Sequence, residues 1–248
     1  MGGMYLIVDE GNSRAKIVVV EDEDRVLYQT VVQNVSDDVI AGIVSQYQDI
    51  CAAIISTTRG DGDALKVLLE RYIARVLLFS PATTPIPIKN GYHTPKTLGA
   101  DRLAAAVGAW AMNPESNVMV VDFGTAITID YVIDGEFRGG NISPGVTTRF
   151  RALADYTACL PLCEPTEEVL EYGRTTIEAI EQGVMRGVEH EIRGYVEPFS
   201  IENEKNRIIF TGGDAKYFVK RIKNTIFADC EPVIYGLATI LKYNAKSE

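Results

Sequence analysis

The chain has 248 residues, 46% hydrophobic and 23% charged, the proportions of an ordinary globular protein long enough for one large domain or two small ones. Its formal net charge of −10 argues against duplex nucleic acid or an anionic membrane as the main partner, since both need a basic face. A small anionic ligand stays open, because a few local cations and backbone amides suffice to hold phosphate.

Residues 5–8 and 15–21 read as strands joined by Asp9-Glu10-Gly11-Asn12-Ser13, and 25–32 as the next strand of a meander. This differs from a Rossmann or Walker-type site, where the glycine loop leads straight into a helix. Ser36, Asp37 and Asp38 open a helix carrying Val39, Ile40, Ile43, Val44 and Tyr47. A short buried strand (51–56), a helix with Leu65, Leu69 and Ile73 on its apolar face, and a strand over 76–79 follow. Residues 81–95, with Pro81, Pro85, Pro87, Gly91 and Pro95, predict an irregular binding loop or lid. It leads through Leu98-Gly99-Ala100-Asp101-Arg102 into an alanine-rich helix over 103–112, and a domain boundary is expected at 113–116.

The second half opens on an apolar strand over 118–121 that runs into Asp122-Phe123-Gly124-Thr125, then 127–133, the turn Asp134-Gly135, and 136–138. Residues 139–145 predict a flexible, ligand-facing loop, followed by a helix to about residue 156. Thr175 or Thr176 caps a long helix over 177–196. A strand over 207–210 ends in Thr211-Gly212-Gly213-Asp214, and helices over 215–223 and 235–243 close the chain.

One apolar strand ending in Asp-x-Gly is weak evidence; two copies point to two halves that face one nucleotide. In each, the glycine lets backbone approach a ligand, the hydroxyl residue donates to phosphate, and the aspartate sits where a cation would bridge protein and phosphate. The plain alternatives are a hairpin with a cationic strand residue at Lys16 and a buried strand-end turn at Asp122. Asp101-Arg102 reads either as a helix-start acid beside a surface arginine, or as a general base with an anion-binding partner. His93 and His190 read as surface residues. Cys51, Cys159, Cys163 and Cys230 complete no zinc pattern and suit a reducing cytoplasm. No apolar run reaches membrane-spanning length, and no signal peptide is read before the first strand.

The ordered set resembles type III pantothenate kinases, of the acetate and sugar kinase/Hsp70/actin superfamily, over nearly the whole chain. The likeness rests on Asp9-x-Gly11-Asn12-Ser13-x-x-Lys16, Tyr92 with Gly99-x-Asp101-Arg102, Asp122-x-Gly124-Thr125-Ala126-x-Thr128-x-Asp130, Gly139-Gly140-x-Ile142-x-Pro144-Gly145, Thr176-x-x-Ala179-Ile180 and Thr211-Gly212-Gly213-Asp214-Ala215. It implies an α/β fold of two ribonuclease H-like (actin-like ATPase) domains, with mixed sheets flanked by helices and an ATP cleft between. The domains would be 1–114, with a substrate loop at 81–102, and 115–248.

The resemblance also implies phosphorylation of the primary hydroxyl of pantothenate by ATP, the first step towards coenzyme A, in a cytoplasmic homodimer. By position, Asp9, Gly11, Asn12, Ser13, Lys16 and Thr125 would face ATP, with Asp9 also on Mg2+. Asp122 would hold a monovalent cation, K+ or NH4+. Tyr92, Gly99, Ala100, Asp101, Arg102 and Thr176 would hold pantothenate, with Asp101 the base. Two features depart from the family pattern. Ser13 replaces the usual threonine and keeps its hydroxyl, and Glu10 puts a charge where a small or apolar residue is more usual. The competing readings are another small-molecule kinase of the superfamily, or a non-enzymatic regulator on the same fold; the intact set of Asp9, Lys16, Asp101 and Asp122 speaks against the latter.

Overall fold

The computed structural model describes residues 3–11, 14–21, 25–60, 62–223, 225–227 and 231–245. The chain forms two compact units: Met1–Pro114 with Gly135–Phe137 and Cys230–Glu248, and Glu115–Asp134 with Arg138–Asp229.

In the first unit, β1 (Met4–Glu10), β2 (Ala15–Glu21) and β3 (Val26–Val32) form an antiparallel meander. β4 (Ile50–Thr57) and β5 (Val76–Leu78) add to β1 in parallel, giving the order β3-β2-β1-β4-β5. Leu6, Val8, Ile17, Val19, Ala53 and Ile55 pack against Ile40 and Ile43 of α1 (Asp37–Gln46) and Leu65 and Leu69 of α2 (Gly62–Glu70). The intervening Ile7, Val18 and Ile54 are equally buried. α6 (Pro232–Ala245) lies against β1 and β4, and α3 (Ala100–Met112) against β4. With both faces covered, β1 and β4 read as unbroken apolar runs rather than as alternation. β6 (Lys89–Asn90) pairs in parallel with Glu136 and Phe137.

The alanine-rich sequence of α3 has a packing reason. It crosses α6 so closely that a Cβ on Gly108 would stand 2.0 Å from the Pro232 carbonyl oxygen, and one on Gly236 would stand 1.8 Å from that of Ala104. Two helix backbones meet there, and neither yields as a flexible side chain would. Gly236→Ala is therefore expected to destabilise the protein by roughly 1–3 kcal/mol through overpacking, despite alanine's better helix propensity. Thermal unfolding checks this; a midpoint equal to or above wild type would contradict the close crossing.

In the second unit, β7 (Val118–Phe123) and β8 (Ala126–Ile133) are antiparallel, and β9 (Glu136–Pro144) lies next to β8. β10 (Arg207–Thr211) and β11 (Ile226–Phe227) extend the sheet in parallel from β7, giving the order β11-β10-β7-β8-β9. These five strands repeat the order of the first sheet, and β6 is a sixth strand beyond β9. Phe123 anchors the core, stacked on Phe218 at 5.0 Å and edge-on to Phe210 at 5.0 Å. The buried stripe Ile180, Val184, Val188, Ile192 and Val196 of α5 (Thr176–Glu202) joins the same core.

Several elements differ from the sequence reading. The loop expected at 139–145 is strand as far as Pro144, with Gly140 so close to the Ile129 carbonyl oxygen (1.8 Å from a Cβ) that no side chain fits. α5 runs through Pro198 rather than stopping before it; Phe199 is buried, and its carbonyl accepts a 2.6 Å bond from the Asn206 side chain. Residues 215–223 form a 3-10 turn (Ala215–Tyr217) and further turns rather than a helix. Between α4 (Val146–Tyr156) and α5 the chain is irregular. The final helix begins at Pro232, a residue preorganised for the first helical turn, and groups with the first unit, where Leu237, Ile240 and Leu241 are buried.

Candidate active site

The first unit places its polar groups by strand register. In the antiparallel pair Asp9 stands opposite Lys16, and in the parallel pair opposite Ser56, so the strand-end carboxylate has a cation on one flank and a hydroxyl on the other. Although Asp9 keeps part of its surface open, the packing around its carboxyl pushes the pKa up from 3.8 to about 6. Loss of hydration is the main cause. The Ser56 hydroxyl and the charge of Lys16 draw it down, while the nearby charges of Asp101 and Glu231 raise it. Ser56 is fully buried, and its Oγ makes no well-formed hydrogen bond; it lies near enough to Asp9 to act on its proton, short of bonding geometry.

Lys16 forms an ion pair with Glu231, the residue before α6. The Gly11 N–H donates to the Arg14 carbonyl at 3.0 Å, closing the turn after β1; Asn12 and Ser13 lie outside the described residues. Sequence reasoning missed Ser56 and Glu231. Ser56 follows the apolar run of β4, and only the parallel register sets it opposite Asp9, as it sets Thr211 of β10 opposite Asp122. Glu231 had only its place before a proline at a helix start.

The substrate loop supplies a second group. α3 begins at Ala100, three residues earlier than the sequence predicts, so Asp101 and Arg102 sit in its first turn. The Asp101 Oδ1 accepts the Arg102 backbone N–H at 2.9 Å. Asp101 lies close enough to Asp9 for its charge to act there, which brings the proposed base to the proposed nucleotide carboxylate within one unit. Arg102 is buried, with its guanidinium 5.9 Å from the Tyr92 ring centroid; that ring packs at 6.1 Å on Phe137. The Asn90 side chain fixes the start of this loop, accepting the Tyr92 N–H at 3.1 Å and donating to the Pro81 carbonyl at 3.0 Å. Ala100 is buried and Gly99 is the N-cap, so these two have only backbone to offer a ligand.

The second unit repeats the arrangement. Asp122 pairs across the sheet with Thr128 and Thr211. Gly212, at φ 91°, lies so near that a Cβ would stand 2.4 Å from the Asp122 Oδ1 and 2.6 Å from the Phe123 nitrogen, so glycine is required there. Gly124 and Thr125 are exposed in the turn between β7 and β8. The Thr125 carbonyl accepts from the Gly145 N–H (3.0 Å) and the Thr148 hydroxyl (2.7 Å), tying that turn to the start of α4. The Asp214 N–H donates to the Phe123 carbonyl at 3.2 Å, and burial raises the Asp214 carboxyl pKa. Thr176 is exposed on the first turn of α5, whose cap is Thr175 in a reciprocal box with Glu178. Among the described residues no three His, Cys, Asp or Glu side chains gather to hold a metal.

The family model for type III pantothenate kinase matches residues 5–198. Two curated relatives of that name are 39% identical. That from Azobacteroides pseudotrichonymphae aligns over 246 residues, 98% of each chain; that from Phocaeicola vulgatus aligns over 247, 98% of this chain and 100% of the relative. Among solved structures, a Campylobacter jejuni chain assigned to the Baf family of transcriptional activators matches with TM-score 0.65 at 19% identity, covering 97% of this chain and 99% of its own. The activator of 2-hydroxyisocaproyl-CoA dehydratase from Clostridium difficile, with bound ADPNP, matches with TM-score 0.54 at 14% identity, covering 100% and 98%. At such identities these two speak to the fold alone, two mixed sheets flanked by helices. The family-model match and sequence likeness over nearly the full length make this chain a member of the type III pantothenate kinase family.

Proposed function

We propose that this chain transfers the terminal phosphoryl group of ATP to the primary hydroxyl of pantothenate, the opening step towards coenzyme A. The observation that carries the reading is the gathering of Asp9, Lys16 and Asp101 in one unit, with Arg102 and Tyr92 beside the last. Asp101 takes the proton from the attacking hydroxyl. Arg102 binds the pantothenate carboxylate, and Tyr92 holds the guanidinium in place through its ring face. Lys16 exchanges Glu231 for phosphate oxygens when nucleotide arrives. The same reading assigns the Gly11 turn and Thr125 to ATP and Thr176 to the acceptor.

The first-unit residues fit magnesium: a hard carboxylate at Asp9 that burial leaves short of positive charge, and the fully buried Ser56 oxygen beside it. Magnesium bound with ATP would neutralise phosphate charge as the loose transition state forms. Asp122 would hold potassium or ammonium, hard-oxygen chemistry suited to its carboxylate. Homodimerisation in the cytoplasm belongs to the same reading. The second unit leaves Ile142, Tyr156, Leu162, Val169, Tyr172 and Ile177 exposed, apolar side chains of the kind that a second copy would cover.

ADP release, followed with labelled ATP across a panel of hydroxylated acceptors with and without potassium, tests the proposal. Pantothenate is expected to be the preferred acceptor and potassium an activator. A different preferred acceptor would overturn the substrate assignment, and no phosphorylated product with any acceptor would overturn the enzyme.

A further inference from the structure

We propose that Arg59 is a positioning residue for the nucleotide-binding turn, working as a latch with Glu10, and that Glu10 is thereby withdrawn from both magnesium and phosphate. The proposal rests on the reading of the Gly11 turn as a phosphate-binding element. The chain after β4 folds back over the end of β1. The Thr58 N–H donates to the Glu10 carbonyl at 2.9 Å, extending the parallel ladder by one residue. The Thr57 hydroxyl donates to the Glu10 Oε2 at 2.8 Å and itself accepts the Arg59 N–H at 3.1 Å. These contacts aim the Arg59 side chain along the turn. Its Nε donates to the Gly11 carbonyl at 2.8 Å. Its Nη1 reaches the Glu10 Oε1 at 3.5 Å, the Gln33 carbonyl at 3.1 Å and the Asn34 Oδ1 at 3.2 Å.

One guanidinium thus ties the glycine of the turn to the end of β3 and the end of β4. It contributes charge-assisted bonds to acceptors that no neutral side chain would span together. Both partners of the ion pair are mostly shielded, at 25% and 15% side-chain exposure, so solvent screens them less than a surface pair. Two consequences follow. The Gly11 carbonyl is held by a fixed donor, which orients the glycine of the turn, so that loss of the donor weakens nucleotide binding rather than the chemical step. The carboxylate that departs from the family's small or apolar residue is neutralised locally, so it adds no unpaired negative charge beside a triphosphate.

Kinetics and ATP titration calorimetry on the full chain test the latch. Arg59→Gln is expected to raise KM for ATP about tenfold or more, with kcat and KM for pantothenate little changed. Arg59→Lys restores the charge opposite Glu10 but not the fork, and is expected to recover only part of the loss. Glu10→Gln combined with Arg59→Gln is expected to bind ATP better than Arg59→Gln alone, because Glu10 no longer faces phosphate unpaired. Thermal melts separate a folding failure from a binding one, and a variant that fails to fold passes the question to Arg59→Lys. An unchanged KM for ATP in folded Arg59→Gln, with Lys16→Ala weakened, overturns the latch. Unchanged ATP binding in both overturns the nucleotide reading beneath it.

Discussion

Asp101→Asn is expected to lose turnover by ~10²–10⁴-fold while still binding ATP and pantothenate, because an amide keeps the shape of the side chain and cannot take a proton. The local geometry favours a clean experiment. The oxygen that accepts the Arg102 N–H at 2.9 Å survives in asparagine, so the first turn of α3 and the orientation of Arg102 are retained. The same change has an electrostatic signature that a purely structural role would not produce. Asp101 is among the charges that hold the Asp9 pKa up, so its neutralisation lowers the Asp9 pKa and moves the acidic limb of the residual activity to lower pH. Pre-steady-state phosphoryl transfer together with a pH profile of kcat/KM for ATP measures both effects. Near-normal turnover would remove Asp101 from the role of base. Lost turnover with an unmoved acidic limb would keep the role and separate it from the coupling to Asp9.

What the sequence made legible followed the physics of strands. Apolar runs ending in Asp-x-Gly marked β1 and β7 because the aspartate closes the buried run at the strand end and the glycine two residues on lets the backbone turn. Asp134-Gly135 marked its hairpin because both residues adopt positive φ, 51° and 69°. Tyr92, Asp101 and Arg102 were read together from a proline-rich loop feeding a helix, and the structure brings them together. Groups supplied from far along the chain were not legible. Ser56 faces Asp9 only through the parallel β1–β4 register, and Glu231 meets Lys16 across 215 residues of sequence. The grouping of α6 with the first unit was hidden for the same reason. Its apolar face fits many partners, and the choice of α3 depends on Gly108 and Gly236 meeting, which no local pattern announces. The strand over 139–144 was read as a loop because its glycines serve a close backbone approach that looks like flexibility in one dimension.

Asp9→Asn is expected to make the ligand-free protein more stable at neutral pH while nearly abolishing nucleotide use. The sign follows from the raised carboxyl. With a pKa of about 6 in the folded chain against 3.8 for an unperturbed aspartate, the fold favours the protonated form. The stabilisation from that preference is full below pH 3.8 and is lost as pH rises through about 6. Above it, the ionised carboxylate sits in a site that disfavours it, a burden of about 2–3 kcal/mol on the unliganded state. Asparagine never ionises, so its advantage over wild type should be near zero at pH 4 and grow to that size by pH 7.5. Thermal melts across the range read it directly, and a variant no more stable than wild type at pH 7.5 would contradict a carboxylate strained by burial. Function should move the other way. The charge that costs stability is the one a magnesium–nucleotide would repay on binding, so kcat/KM for ATP in wild type should fall on acidification through about pH 6. At neutral pH the variant should lose ~10²-fold or more, the scale for removing a preorganised charge from a phosphoryl-transfer site. Stability gained between pH 3.8 and about 6, and activity lost on acidification through about 6, would tie both effects to the protonation of this single group.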